Sequence, residues 1–208
     1  MKYPFQIILA STSPRRVDLL KQAGLKFDVR APEADETPKR GESPQNLVRR
    51  LSLTKAKSVR SEGKSLLIIA ADTIVVSPNG KKILGKPVDS TDAKKMLKTL
   101  SGKTHTVLTG YSLLIIDSRG KQKIKIRVVK SRVKMRTLDS ASIQRYVATG
   151  EPMDKAGSYA AQGIGAALVE SLSGSYANVV GLPICQVFED IQKLTGVRFL
   201  EWLNLENR

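Results

Sequence analysis

The chain has 208 residues, 41% of them hydrophobic and 26% charged, and its 35 Lys and Arg outweigh 19 Asp and Glu for a formal net charge of +16. That length suffices for one domain with a real core, or one domain of two lobes around a cleft, and the composition excludes gross disorder. A single cysteine, Cys185, and a single histidine, His105, exclude an intrachain disulfide and a zinc site of the usual kind, so any metal has to be a hard, carboxylate-bound ion such as Mg²⁺ or Mn²⁺.

In chain order, "FQIILA" is a continuous apolar run, the mark of a strand buried on both faces. In "STSPRR", Ser13 suits a helix N-cap and Pro14 its first position; Val17, Leu19, Leu20 and Ala23 give the apolar face and Gly24 the stop. "LKFDVRA" reads as a second strand and "PEADETPKRGES" as a polar loop. Ser43 and Pro44 repeat the start signal before the basic amphipathic helix "PQNLVRRLSLTKAKSVRS". "SLLIIAADTIVVS" is the most apolar stretch, a central strand with one charge, Asp72, inside it. "PNGK" is a turn, "ILGKPVD" a short extended piece and "STDAKKMLKTLSG" a capped helix.

"HTVLTGYSLLIID" is a further strand, turned by "SRGK" into "QKIKIRVVKSRVKMRTL", where Ile124, Ile126 and Val128 alternate with charges as on a half-exposed antiparallel strand. "DSASIQRYVATGEP" is a capped helix, the glycine-rich "KAGSYAAQGIGAALVESLSGSYANVVGLP" fits neither pattern cleanly, and "PICQVFEDIQKLTG" is a closing helix. Cys185, at the start of that helix, is expected to be a buried structural cysteine. Alternating strands and helices predict an α/β fold, a central mixed twisted sheet flanked by helices, in one domain spanning 1–208.

The excess of positive charge predicts an anionic partner. The lysines are spread along the chain, however, and aromatics are only 5%, so a base-stacking nucleic-acid platform is not expected. No apolar run approaches the ~20 residues of a membrane span, and the first apolar run is too short and broken by Gln6 for a secretory leader. A cytoplasmic protein without a membrane partner is expected.

Two common phosphate motifs fail. Gly102-Lys103-Thr104 has a P-loop's tail, but Leu97 stands where its first glycine belongs; "GIGAAL" has Leu168 at the third glycine of a dinucleotide fingerprint. Four other places carry chemistry. In "STSPRR", Arg15 and Arg16 oppose the helix dipole, which makes sense if an anion sits there; the alternative is two snorkelling surface arginines. In "AADTIVV", Asp72 needs a metal, a cation or several donors, because a buried unpaired carboxylate is costly. "EADET" offers Glu33, Asp35 and Glu36 as cation partners or as a solvated loop. "GKPVD" and "DKAGSYAAQG" set Lys86 and Lys155 in irregular backbone, where function and plain surface are equally at home.

Together and in order, "LASTSPRRVDLLKQAGLKFDV", "DET", "RLSLTKAKSV", "AADTIVV", "ILGKPVD", "LSGKTHTVLTG", "GEPMDKAGSYAAQG" and "GSYANVVGLPI" resemble the Maf family of nucleoside triphosphate pyrophosphatases from about Leu9 to Ile184. The tail beyond rests on helical patterning alone. The resemblance implies two lobes around a cleft, in the manner of ITPases, a divalent metal (Mg²⁺ or Mn²⁺), hydrolysis of a nucleoside triphosphate to the monophosphate and pyrophosphate, and a homodimer. It places the catalytic aspartate on Asp72, with Asp72 and Glu36 as metal ligands, and whether Asp72 is base, ligand or both stays open. It places substrate contacts on Ser11, Arg15, Arg16, Lys55, Thr73, Lys86 and Gln162.

"AGSYAAQGIGA" is similar to the dTTP/UTP type rather than the 7-methyl-GTP type, which carries Glu before that glycine. Arg15, Thr73 and Gln162 are then the specificity residues. An amide at Gln162 can donate and accept, matching a pyrimidine edge with O4 beside N3–H. A purine substrate, and a non-catalytic nucleic-acid-binding protein motivated by the charge, are the competing expectations. "VVKSRVKMRTL" is more basic than the corresponding strand of the family.

Overall fold

The computed structural model describes residues 5–61 and 63–202, so the last part of the tail lies outside the described residues. Among the described residues seven strands form one mixed sheet: β1 (Gln6–Ala10), β2 (Asp28–Arg30), β3 (Leu66–Val76), β4 (Ile83–Leu84), β5 (Thr104–Ile116), β6 (Gln122–Met135) and β7 (Val169–Ser173). Their order is β2-β1-β3-β5-β6-β7, with β4 paired to β3. β1 is parallel to β2 and β3, whereas β4 and β7 are antiparallel to β3 and β6. The helices are α1 (Pro14–Gln22), α2 (Pro44–Lys57), α3 (Ser90–Leu100), α4 (Ser140–Ala148), α5 (Tyr176–Val180) and α6 (Ile184–Thr195). The expected α/β class with a mixed sheet is the observed one.

The chain divides into two compact units. The first holds residues 1–72, 110–128 and 181–208. Ile8 and Ala10 of β1, Leu66, Ile68 and Ala70 of β3, and Leu114 and Ile116 of β5 bury the faces that they present at period two. The intervening Ile7, Leu9, Leu67 and Ile69 are buried as well, so these strands are covered on both faces as their unbroken apolar runs require. Truncating one of them to Ala costs about 2–5 kcal/mol. α2 comes unusually close to β5. A methyl group on Gly110 would lie 2.3 Å from the Val48 carbonyl oxygen, and the buried hydroxyls of Ser52 and Ser112 meet at 2.9 Å.

The second unit holds residues 73–109 and 129–180. Its core gathers Val75, Leu97, Leu100, Val107, Val133 and Met135 with Ile143 and Tyr146 of α4. Here Gly102-Lys103-Thr104 lies on a turn that leads from helix α3 into strand β5, the reverse of the strand-to-helix order of a P-loop. "GIGAAL" forms the 3₁₀ turn Gly163–Leu168. The glycine-rich segment as a whole resolves into two 3₁₀ turns, β7 and the short α5.

Two local expectations change. Ser13 occupies the N-cap position of α1, but its side chain makes no capping bond; its own N–H donates to Ser11 Oγ at 3.2 Å instead. Ser43, Asp89 and Asp139 do cap, accepting from the N–H groups of Asn46, Asp92 and Ser142. Cys185 is exposed, not buried. α6 buries Val187, Phe188 and Ile191, which turns positions 185 and 189 outward together, and Cys185 Sγ lies 3.7 Å from Glu189 Oε1 one helical turn on. Among the described residues no helix is long and apolar enough to cross a membrane.

Candidate active site

The first unit brings six of the expected site residues into one electrostatic cluster. Asp72 lies just past the middle of β3, 7% exposed, after six buried residues of the same strand. Its carboxylate is not left alone. Lys55, on the last turn of α2 and 5% exposed, donates from Nζ to Asp72 Oδ1 at 2.7 Å. The same ammonium lies 2.8 Å from Oε1 of Glu36, whose side chain is 61% exposed. The two pairs differ in worth. The Glu36 pair is open to solvent and screened, whereas removing one partner of the buried Lys55–Asp72 pair strands a charge, at a cost of about 3–5 kcal/mol. The expectation that Lys55 serves substrate therefore gains a second part: in this structure it joins both acids.

Ser11 follows β1 directly and is buried. Its hydroxyl accepts from Arg16 at 3.1 Å, and Arg16 Nε donates to the carbonyl of Gly181 at 2.9 Å. Arg16 is half-buried in the first turn of α1. Burial pulls its pKa below the ordinary guanidinium value, Asp72 pushes it back up, Arg15 lowers it and Glu36 raises it. These interactions put Arg15, Arg16, Asp72 and Glu36 within electrostatic reach of one another. Arginine remains charged regardless. The acid loop also sorts itself. Glu36 faces Lys55, Glu33 is exposed, and Asp35 caps a local turn by accepting from the Thr37 N–H at 2.9 Å; hydrogen bonds from the Thr37 side chain and then its backbone lower the Asp35 pKa.

The donor set suits a hard cation. Two carboxylates from separate elements converge on one positive charge, the oxygen type that Mg²⁺ and Mn²⁺ prefer. Among the described residues no group of three or more His, Cys, Asp or Glu could hold a metal ion.

The second unit carries Thr73, Lys86 and Gln162. Thr73 Oγ1 meets Thr109 Oγ1 at 2.9 Å, and Thr109 in turn donates to the Asn178 carbonyl at 2.9 Å. With its one proton used there, Thr109 accepts from Thr73. Asn178 is fully buried and donates to Ser131 Oγ at 3.0 Å. Lys86 is exposed on the loop after β4, and Gln162 is half-buried just ahead of the 3₁₀ turn Gly163–Leu168. Lys155 is spoken for: its ammonium donates to the Glu151 carbonyl at 2.6 Å and pairs with Asp154. His105 is also structural, hydrogen-bonded to Tyr159 Oη at 2.8 Å, and burial pulls its pKa down to about 4. Reading the sequence missed Thr109, Asn178 and the Gly181 carbonyl; Asn178 stands inside the quoted block "GSYANVVGLPI", but nothing local marks it as buried.

The profile described as "Maf-like protein" matches residues 6–194, nearly the whole chain. The chain belongs to the Maf-like family. A dTTP/UTP pyrophosphatase of Geobacter sulfurreducens is 45% identical to it over 189 residues, covering 91% of this chain and 96% of that protein. Another dTTP/UTP pyrophosphatase, from Pelotomaculum thermopropionicum, is 47% identical over 188 residues, 90% of this chain and 96% of that one. A solved nucleoside-triphosphatase / dITP/XTP pyrophosphatase from Mycobacterium abscessus covers 62% of this chain and 74% of its own at 14% identity and a TM-score of 0.32, too low to bear on fold or function. Within this Maf-like chain, the family blocks "SPRR", "DET", "TKAK" and "ADT" are the segments that supply the first unit's charge cluster.

Proposed function

We propose that this chain is a cytoplasmic nucleoside triphosphate pyrophosphatase that converts dTTP and UTP to the monophosphate and pyrophosphate. The observation that carries the reading is the convergence of Asp72, Glu36, Lys55 and Arg16 around a carboxylate inside a buried strand. The substrate choice rests on the names of relatives that match over nine-tenths of the chain.

The chemistry follows from charge. A water oxygen attacks the α-phosphorus, the bridging P–O bond to the β-phosphate breaks, and pyrophosphate leaves. Asp72 takes the proton from that water, the carboxylate being oriented by the Lys55 ammonium on Oδ1. Charge builds on the phosphate oxygens, and fixed cations aimed at them lower the barrier. Arg15, Arg16 and Lys86 supply those cations. Arg16 is already locked by Ser11 and Gly181, so it loses little freedom on binding. A bound Mg²⁺ or Mn²⁺, held by Asp72 and Glu36 together with phosphate, would supply further neutralisation of the triphosphate. Thr73 and Gln162 meet the base edge.

The test is incubation of the purified protein with a panel of nucleoside triphosphates and each metal, with the products identified. UMP and pyrophosphate from UTP, in preference to purine nucleotides, is the expected result. Release of orthophosphate would overturn the bond assignment, and a preference for 7-methyl-GTP the substrate assignment.

A further inference from the structure

Gln162 sits in a segment whose two ends are fastened to the same pair of side chains. Upstream, the N–H of Ala160 donates to Tyr146 Oη at 3.1 Å. Downstream, the N–H of Ile164 donates to Glu151 Oε1 at 3.0 Å and that of Gly165 to Glu151 Oε2 at 2.8 Å. Tyr146 closes the circuit by donating from Oη to Glu151 Oε2 at 2.7 Å. One carboxylate thus caps the first N–H groups of the 3₁₀ turn that begins directly after Gln162, where an anion is favoured. Tyr146 belongs to α4 and is 4% exposed, so the anchor is part of the core of its unit.

The backbone of the segment is shaped to this anchor. Gly163 has a φ of +60°, and a methyl group there would lie 2.3 Å from Glu151 Oε1. A methyl group on Gly165 would lie 2.5 Å from both Tyr146 Oη and the Ala160 carbonyl. Two side chains and two missing side chains therefore fix the path of residues 160–165. Burial and the bond to Glu151 raise the Tyr146 pKa far above the ordinary phenol range, so the hydroxyl remains a donor at any working pH.

We infer that Glu151 and Tyr146 are positioning residues that set the Gln162 amide for the pyrimidine edge, and so act on base selection through Gln162. This rests on the reading of Gln162 as a base contact. Neither residue touches substrate in this account. Their effect is pre-organisation: a Gln162 loop held by three hydrogen bonds loses little freedom when the base arrives, whereas a loosened one has to be ordered at the expense of affinity.

The experiment is a double-mutant cycle on the full chain, with kcat and KM measured for UTP and thermal midpoints recorded for each variant. Glu151→Gln keeps the shape but sets an NH₂ group against N–H donors; Gln162→Ala removes the amide. Expected is a rise of about tenfold in KM for Glu151→Gln, the worth of a charged hydrogen bond, with kcat changed less than about threefold, and no further rise in the Gln162→Ala background. A general loss of stability would instead lower the active fraction and would persist in that background. If Glu151→Gln raises KM equally in both backgrounds, or leaves it unchanged, the positioning role is overturned while Gln162 as a base contact stands. If Gln162→Ala itself leaves KM for UTP unchanged, the base-contact reading fails and the inference falls with it. Should Glu151→Gln not fold, Tyr146→Phe, which removes one hydroxyl, runs the same cycle with an expected KM effect of about threefold.

Discussion

The polar groups around Asp72 in the first unit and around Thr73 in the second are held in different ways. In the first, opposite charges meet: the Lys55 ammonium between Asp72 and Glu36, and Arg16 within their field. In the second, uncharged groups form relays: Thr73 to Thr109 to the Asn178 carbonyl, and His105 to Tyr159. The difference follows from what each arrangement can tolerate. A buried charge has to be compensated, and Lys55 does that for Asp72. A neutral relay balances no charge, but it fixes the direction of each donor and acceptor.

The contrast breaks most sharply at Asp72. Asp72→Asn keeps the shape and removes the charge, and is expected to lower kcat by about 10²–10⁴, the range for a lost proton acceptor; circular dichroism of the same sample checks that the fold survives. Lys55→Met makes the converse cut. It leaves Asp72 and Glu36 as like charges with no ammonium between them, and stability in urea should fall by about 3–5 kcal/mol.

The neutral side is probed by pH. His105 has its native pKa depressed to about 4 from an ordinary 6.5. The unfolded chain therefore binds a proton that the folded one refuses. The contribution is fully present above about pH 6.5 and is lost as pH falls through that window towards 4, by roughly 3 kcal/mol. Urea melts at several pH values should show that slope, and His105→Asn should flatten it. The smallest effect is expected at Lys134 and Glu170, an ion pair at 2.8 Å with both side chains nearly half exposed. Glu170→Gln should shift stability by less than about 1 kcal/mol, and raised salt should erase even that.

Much of this arrangement was legible in the sequence, for local reasons. Unbroken apolar runs gave β1 and β3, Ser43-Pro44 gave the start of α2, and a charge inside an apolar strand marked Asp72. What stayed hidden was non-local. Nothing in "TKAK" says that Lys55 reaches an aspartate seventeen positions on while also meeting Glu36. Cys185 departs from the expectation because Ile184 before it and Gln186 after it do not reveal which face of α6 turns inward; the spacing of Val187, Phe188 and Ile191 decides it. The glycine-rich segment resisted reading because 3₁₀ turns leave no periodic signature, and its path depends on Glu151 and Tyr146 from outside it.

Gly110 has a consequence beyond packing. Its missing methyl group lets the carbonyl of Val48 rest against β5, and Val48 and Lys55 ride on the same rigid helix two turns apart. The height of α2 above the sheet is therefore the height at which the ammonium is delivered to Asp72. A single hydrogen atom in place of a carbon, far along the chain from both Lys55 and Asp72, serves as the spacer that sets the reach of the lysine.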